Sequence, residues 1–192
     1  SKYGDKNGLT VDEARDIVVP AIMAKRGTLD WYSVDYWSKR FDLDVLKLNH
    51  DLAHLIQPRP LSIEFLDWLL SEKKTVWLTT NAWPATIDIK LNRVDLSAFL
   101  DRIVSSHDLG AAKEDQAFWH ALFDLHSVAP ERCLFIDDSE SVLEAAQAFG
   151  IQHLYCIEQP DLSKPARGVT QFESLSAFSQ IAPSLSMSDA VG

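Results

Sequence analysis

The chain has 192 residues with 18 basic and 28 acidic side chains, a formal charge of −10, so it lacks the cationic excess by which proteins displace counterions from a nucleic-acid backbone. With 46% hydrophobic and 24% charged residues, and no run near the roughly 18 apolar residues of a membrane helix, it reads as one globular α/β domain with a small appended subdomain. Cys133 and Cys156 lie in apolar stretches without metal-ligand spacing; two reduced core thiols and no visible targeting signal predict a cytoplasmic protein.

Residues 10–57 carry helical periods and no strand. "TVDE" offers a capping box between Thr10 and Glu13. Behind it Ala14, Ile17, Val18, Ala21 and Ile22 share a face, and Pro20 is expected to kink the helix. After Gly27, Asp30 is positioned to cap a second helix presenting Trp31, Val34, Trp37 and Phe41. Asp44 is positioned to cap a third presenting Val45, Leu48, Leu52 and Leu55. Pro58 and Pro60 break the pattern, so residues 1–58 are expected to form a helical subdomain.

From residue 61 short apolar strands alternate with helices. Ser62 is the expected cap of a helix carrying Ile63, Leu66, Leu69 and Leu70; "TVWLTT" (75–80) follows as a strand, and Pro84 suits the first turn of the next helix. "RIVSS" (102–106), "CLFI" (133–136) and "QHLYCI" (152–157) are further strands, separated by helices over 114–126 and 139–149. Such alternation implies a parallel sheet covered on both faces, with its ligand crevice at the carboxyl ends of the strands. The core is assigned to 59–182; "PSLSMSDAVG" (183–192) is small and polar and is expected to be a disordered tail.

The crevice rule gathers three features into one candidate site. One strand delivers Thr79, Thr80 and Asn81, the loop "GAAKEDQ" delivers Lys113, and another strand delivers Asp137 and Asp138. Hydroxyl, ammonium and paired carboxylates suit a phosphoryl group beside Mg2+. Thr80, Asn81 and backbone amides bind phosphate oxygens, Lys113 neutralises charge, and the hard carboxylate oxygens hold the hard cation. Two adjacent carboxylates repel unless a cation or proton intervenes. Each piece also has a plainer reading: turn residues, a solvated lysine, or helix capping by Asp137, Asp138 and Ser139.

"VWLTTN", "GAAKEDQ" and "LFIDDSESVLEAAQAFGI" resemble, in order and interval, the second to fourth motifs of the haloacid dehalogenase-like (HAD) hydrolases. More narrowly, "KNGLTVDEA", "TLDWYSVDYWS" and "KEDQAFWHA" are similar to a bacterial branch described as GMP/IMP nucleotidases. The resemblance implies a Rossmannoid parallel sheet with a helical cap, and a magnesium-dependent phosphatase acting through an aspartyl phosphate. Thr80 would bind the transferring group, and Lys113 would hold it and the nucleophile. Asp138 would ligate the metal directly, while Asp137 would support the metal or pair with Lys113. The substrate would be a small phosphate ester of the purine nucleotide class, with Trp31, Tyr32, Tyr36 and Trp37 of the cap as candidate stacking surfaces.

The family's first motif, a strand ending in Asp-x-Asp-x-Thr that supplies the nucleophile, has no counterpart in this sequence. "FDLDVL" has Asp42 and Asp44 two apart but no preceding strand. That first strand normally lies in the middle of the sheet, and removing it leaves neighbours about 10 Å apart rather than about 4.8 Å. The expectation is therefore an incomplete record of a longer enzyme, with this chain alone inactive or unstable. Three competing readings remain. A carbon–halogen hydrolase needs no metal and would not be expected to carry the acidic pair. A signalling receiver domain places its acidic pair first rather than last. A noncatalytic remnant would bind phosphate or a partner without turnover.

Overall fold

The computed structural model describes residues 1–168 and 171–185. A helical segment comes first: α1 (Lys2–Asn7), α2 (Val11–Met23), α3 (Leu29–Tyr32), α4 (Val34–Phe41) and α5 (Val45–Asp51), then a 3-10 turn at Ala53–Leu55. The capping box forms as its sequence predicts, the Thr10 amide donating to Glu13 Oε2 at 2.8 Å and the Glu13 amide to Thr10 Oγ1 at 3.3 Å. The apolar face expected on α2 is less buried than its period implies: Ala14 is buried, Val18, Ala21 and Ile22 are half-buried, and Ile17 is exposed. α2 packs on the short α1, where a Cβ in place of the Gly4 hydrogen would stand 2.9 Å from the Leu9 carbonyl oxygen.

Asp30 does not cap the second helix, which the chain instead breaks in two. Ser33 is extended, and its hydroxyl accepts the Tyr36 amide at 3.1 Å to start α4. Asp30 takes an ion pair with Lys25 at 2.8 Å. α4 then buries Val34, Trp37 and Phe41, the two rings stacked at 5.4 Å. Asp44 caps α5 as expected, accepting the Lys47 amide at 2.8 Å.

The α/β part runs α6 (Ser62–Ser71), β1 (Trp77–Thr80), α7 (Pro84–Arg93), β2 (Arg102–Ser105), α8 (Ser106–Leu109), α9 (Gln116–Asp124), β3 (Leu134–Asp137), α10 (Glu140–Phe149), β4 (His153–Ile157) and β5 (Glu173–Leu175). Ser62 is not the cap of α6; Leu61 holds that position at φ 59°, and the Ser62 hydroxyl donates to the Arg59 carbonyl at 2.7 Å. Of the expected tail, residues 186–192 lie outside the described residues.

All strand pairs are parallel, confirming the α/β class, and they form two pieces: β1 beside β2, and β3–β4–β5. Among the described residues no strand pairs with the second edge of β1 or of β3. The core gathers where α9 and α10 meet the sheet, with Phe118, Trp119, Leu122, Val142, Leu143, Ala146 and Cys156 almost fully buried. Both cysteines are free, and burial pushes each thiol up from its ordinary pKa, disfavouring the reactive thiolate. Among the described residues no helix is long and apolar enough to cross a membrane.

Candidate functional site

The carboxyl ends of β1 and β3 flank one buried ammonium. Lys113 Nζ lies 2.5 Å from Asp137 Oδ2 and donates to the Thr79 carbonyl at 3.3 Å. Both side chains of the pair are about nine-tenths buried, at 9% and 10% exposure. A lysine so enclosed needs its carboxylate partner, because unpaired charge in this setting is strongly disfavoured.

The Lys113 backbone is pinned on both sides. Its amide donates to Asn81 Oδ1 at 2.9 Å, and its carbonyl accepts the indole N–H of buried Trp119 at 2.8 Å. α9 is itself docked on α10 by the Gln116 side-chain amide donating to the Ala145 carbonyl at 2.8 Å. The core thus fixes the loop that carries the lysine.

Thr80 ends β1 with its hydroxyl oxygen accepting the Ala82 amide at 3.0 Å, an orientation that leaves the hydroxyl hydrogen as a donor. The turn after it is held from β2, where Ser105 Oγ donates to the Ala82 carbonyl at 2.8 Å. Asn81, expected among the phosphate-binding groups, has its side-chain amide engaged within the protein: Oδ1 accepts Lys113 N–H, and Nδ2 donates to Glu114 Oε2 at 2.9 Å.

The acidic pair divides in environment. Asp137 points inward, one oxygen on Lys113 and the other accepting the Ser139 amide at 2.9 Å. Asp138 is 56% exposed and stands 4.0 Å from the Arg167 guanidinium, a neighbour that its place in the sequence did not signal. Ser139, the N-cap of α10, makes no side-chain capping bond.

Asp42 and Asp44, the other Asp-x-Asp pair, have structural positions away from this crevice. Asp42 closes α4 at φ 50° beside Lys6, and Asp44 caps α5. Of the four cap aromatics, Trp37 belongs to the cap interior, its indole N–H donating to the Trp31 carbonyl at 2.9 Å. Tyr36 lies edge-on against Trp37 with the Lys25 ammonium 5.0 Å over its ring. Tyr32 reaches the core, donating to Glu114 Oε1 at 2.5 Å. Glu114 was not singled out from the sequence; its only signal is its place next to Lys113.

His107 sits at the same junction, its ring packed against Trp83 at 4.6 Å. Burial holds its pKa below the ordinary 6.5, against backbone interactions with Asn81 and Tyr32 and the Asp108 charge that pull it upward.

The parallel α/β fold brings Thr80, the Lys113 loop and the acidic pair together at the carboxyl ends of β1 and β3. The haloacid dehalogenase-like hydrolase family matches residues 11–150, and the chain belongs to that family. It is 36% identical over 183 residues to the GMP/IMP nucleotidase YrfG of Escherichia coli K12, covering 95% of this chain and 82% of the relative. A Thermotoga maritima phosphorylated carbohydrates phosphatase is 26% identical over 103 residues, 54% of this chain and 48% of that protein. The fold is like that of a HAD phosphatase from Thermococcus onnurineus, with a TM-score of 0.77 at 22% identity over 95% of this chain and 84% of the other.

Proposed function

We propose that this site belongs to a magnesium-dependent phosphomonoesterase whose substrate is a purine 5′-nucleotide. The observation that carries the reading is the enclosed Lys113 ammonium between the ends of β1 and β3, with the Thr80 hydroxyl and the acidic pair beside it. The Thr80 hydroxyl and neighbouring backbone amides donate to the phosphoryl oxygens, and Lys113 offsets their charge. Asp137 pairs with Lys113 and holds its side chain at the carboxyl end of β3.

The donor set fits magnesium better than zinc. Among the described residues no group of three or more His, Cys, Asp or Glu could hold a metal ion, whereas Mg2+ is commonly held by one or two carboxylates with water and phosphate completing its shell. Asp138 has the more open carboxylate, 56% exposed against 10% for Asp137, and is the one free to face a cation. A magnesium ion held by Asp138 would screen the phosphate from the acidic pair and would polarise the phosphoryl group.

In the full reaction, a nucleophilic aspartate oxygen attacks phosphorus in line. The ester P–O bond breaks as the second aspartic acid of the family's Asp-x-Asp motif gives its proton to the leaving alkoxide, and the same carboxylate then takes a proton from the water that cleaves the aspartyl phosphate to orthophosphate. In the family's pattern the nucleophilic aspartate ends a strand with the motif Asp-x-Asp-x-Thr, which this sequence does not contain. A nucleotide preference is supported by the 36% identity to a GMP/IMP nucleotidase. Phosphate release from GMP and IMP compared with sugar phosphates, measured with an upstream Asp-x-Asp segment present, tests it; preference for sugar phosphates sinks the nucleotide assignment.

A noncatalytic phosphate-binding role is the second reading, favoured by the lack of an Asp-x-Asp strand in the sequence. Orthophosphate binding with no turnover, with or without the added segment, is its signature.

A further inference from the structure

We propose that Glu114 is a positioning residue that couples the helical cap to Lys113, accepting Tyr32 of the cap on one carboxylate oxygen and Asn81 of the β1 turn on the other. The inference rests on the proposed phosphate-binding role of Lys113 for its consequence, but on geometry for its existence.

Four groups form one continuous chain. Tyr32 Oη donates to Glu114 Oε1 at 2.5 Å, Asn81 Nδ2 donates to Glu114 Oε2 at 2.9 Å, and Lys113 N–H donates to Asn81 Oδ1 at 2.9 Å. Tyr32 and Glu114 are 82 residues apart in sequence, so their bond joins α3 of the cap to the loop before α9. Bonds to a carboxylate are the stronger class of hydrogen bond, and short O–H···O⁻ contacts are typical of them.

The residue types fit this chain closely. Glu114 must accept on two separate oxygens, which a carboxylate can do and a glutamine cannot, because its NH2 group replaces one of them with a donor. Asn81 must accept from an amide on one side and donate on the other; an aspartate would accept at both ends and repel Glu114. Asn81 is buried at 7% exposure, where an unmatched donor is costly. Tyr32 must carry its proton, and burial, reinforced by the Glu114 hydrogen bond, pushes its pKa well above the ordinary tyrosine value. The donor therefore survives across the neutral and mildly alkaline range.

The consequence is that cap position and lysine position are linked. With the cap seated, Tyr32 helps orient Glu114, Glu114 orients Asn81, and Asn81 holds the Lys113 amide. When the cap lifts, the chain loses its outer donor, and the Lys113 loop loses part of its restraint.

The test is amide hydrogen exchange at Lys113, read alongside orthophosphate titration in magnesium buffer. The proteins compared are wild type, Tyr32→Phe, Glu114→Gln, the double variant and Lys113→Met. Tyr32→Phe keeps the ring and removes only the donor. It is expected to speed Lys113 amide exchange by roughly three- to tenfold, as loss of one net hydrogen bond predicts. Glu114→Gln should do the same, and the double variant should add little to either, since both break one chain.

Orthophosphate affinity should weaken by a similar factor in these variants and be lost in Lys113→Met. Unchanged Lys113 exchange in Tyr32→Phe, or full additivity of the two substitutions, overturns the coupling. If wild type does not bind orthophosphate, or Lys113→Met binds it normally, the proposed phosphate site fails, while the exchange readout still judges the coupling by itself.

Discussion

Lys113 and Asp137 form an enclosed ion pair, Nζ to Oδ2 at 2.5 Å. Their side chains are 9% and 10% exposed, and breaking a buried pair from one side typically costs about 3–5 kcal/mol because the surviving charge stays enclosed. Lys113→Met is therefore expected to lower stability by about that much in urea unfolding, and Lys113→Met with Asp137→Leu to regain most of it. A double variant no more stable than the single removes the pairing argument. His107 gives a second residue-scale expectation. Its folded pKa is depressed below 6.5, burial being the main cause, so the unfolded chain binds a proton more readily than the native one. Stability due to this group is complete above about pH 6.5 and falls as pH drops from there toward the depressed native value. Urea midpoints taken between pH 7.5 and 5 should show a steeper decline in the wild type than in His107→Gln. Thr80, Lys113 and the acidic pair could be singled out from the sequence because their types match phosphoryl chemistry at strand ends. Glu114, Arg167 and His107 could not, because their roles come from contacts between segments far apart in the chain.

At the scale of elements, what was legible followed from local chemistry. The Thr10–Glu13 box, Pro84 at the first turn of α7 and Asp44 before α5 each stand where capping rules put them. The strands from "VWLTT", "RIVSS", "LFI" and "HLYCI" also form, since apolar runs between helices suit a sheet covered on both faces. One failure is a competition between two adequate caps. Asp30 and Ser33 both qualify, and Ser33 prevails because Asp30 is held by Lys25. Another lies at α6, where Leu61, without a capping side chain, holds the position expected for Ser62. β5 went unread because Glu173–Leu175 is three residues long, too short to show an alternation. Trp119 ties one element to the site: its ring fills the α9–α10 core while its N–H holds the Lys113 carbonyl. Trp119→Phe should cost about 1–3 kcal/mol, through the unpaired carbonyl and the smaller ring. It should also weaken orthophosphate binding, whereas Leu122→Ala, which opens a cavity on the same helix, should cost about 2–5 kcal/mol with less effect on that binding. Equal binding losses at equal destabilisation would falsify a specific link from Trp119 to the lysine.

For the whole molecule, the feature that matters most is the division of the sheet. β1 and β3 each have one hydrogen-bonded neighbour, β2 and β4, and their other edges are unpaired among the described residues. Lys113 joins the two pieces at their carboxyl ends through Thr79 and Asp137, but one side chain cannot replace a ladder of backbone bonds. Open edges of this kind are templates for another strand. A parallel strand between them would satisfy both edges, and a residue at its carboxyl end would emerge beside Lys113. Aspartate there would face the Lys113 ammonium, the Thr80 hydroxyl and the acidic pair, the groups on which the proposed phosphatase reading rests. The expectation is that an apolar segment ending in Asp-x-Asp-x-Thr, fused upstream or added as a peptide, raises the thermal midpoint and brings magnesium-dependent release of phosphate from GMP. Changing its first aspartate to asparagine should keep the rise in midpoint and abolish turnover. These two readouts separate completion of the sheet from supply of the nucleophile. A segment that binds without stabilising the fold argues against insertion between β1 and β3; a stabilising segment whose aspartate can be removed without loss of turnover argues against that residue as the nucleophile.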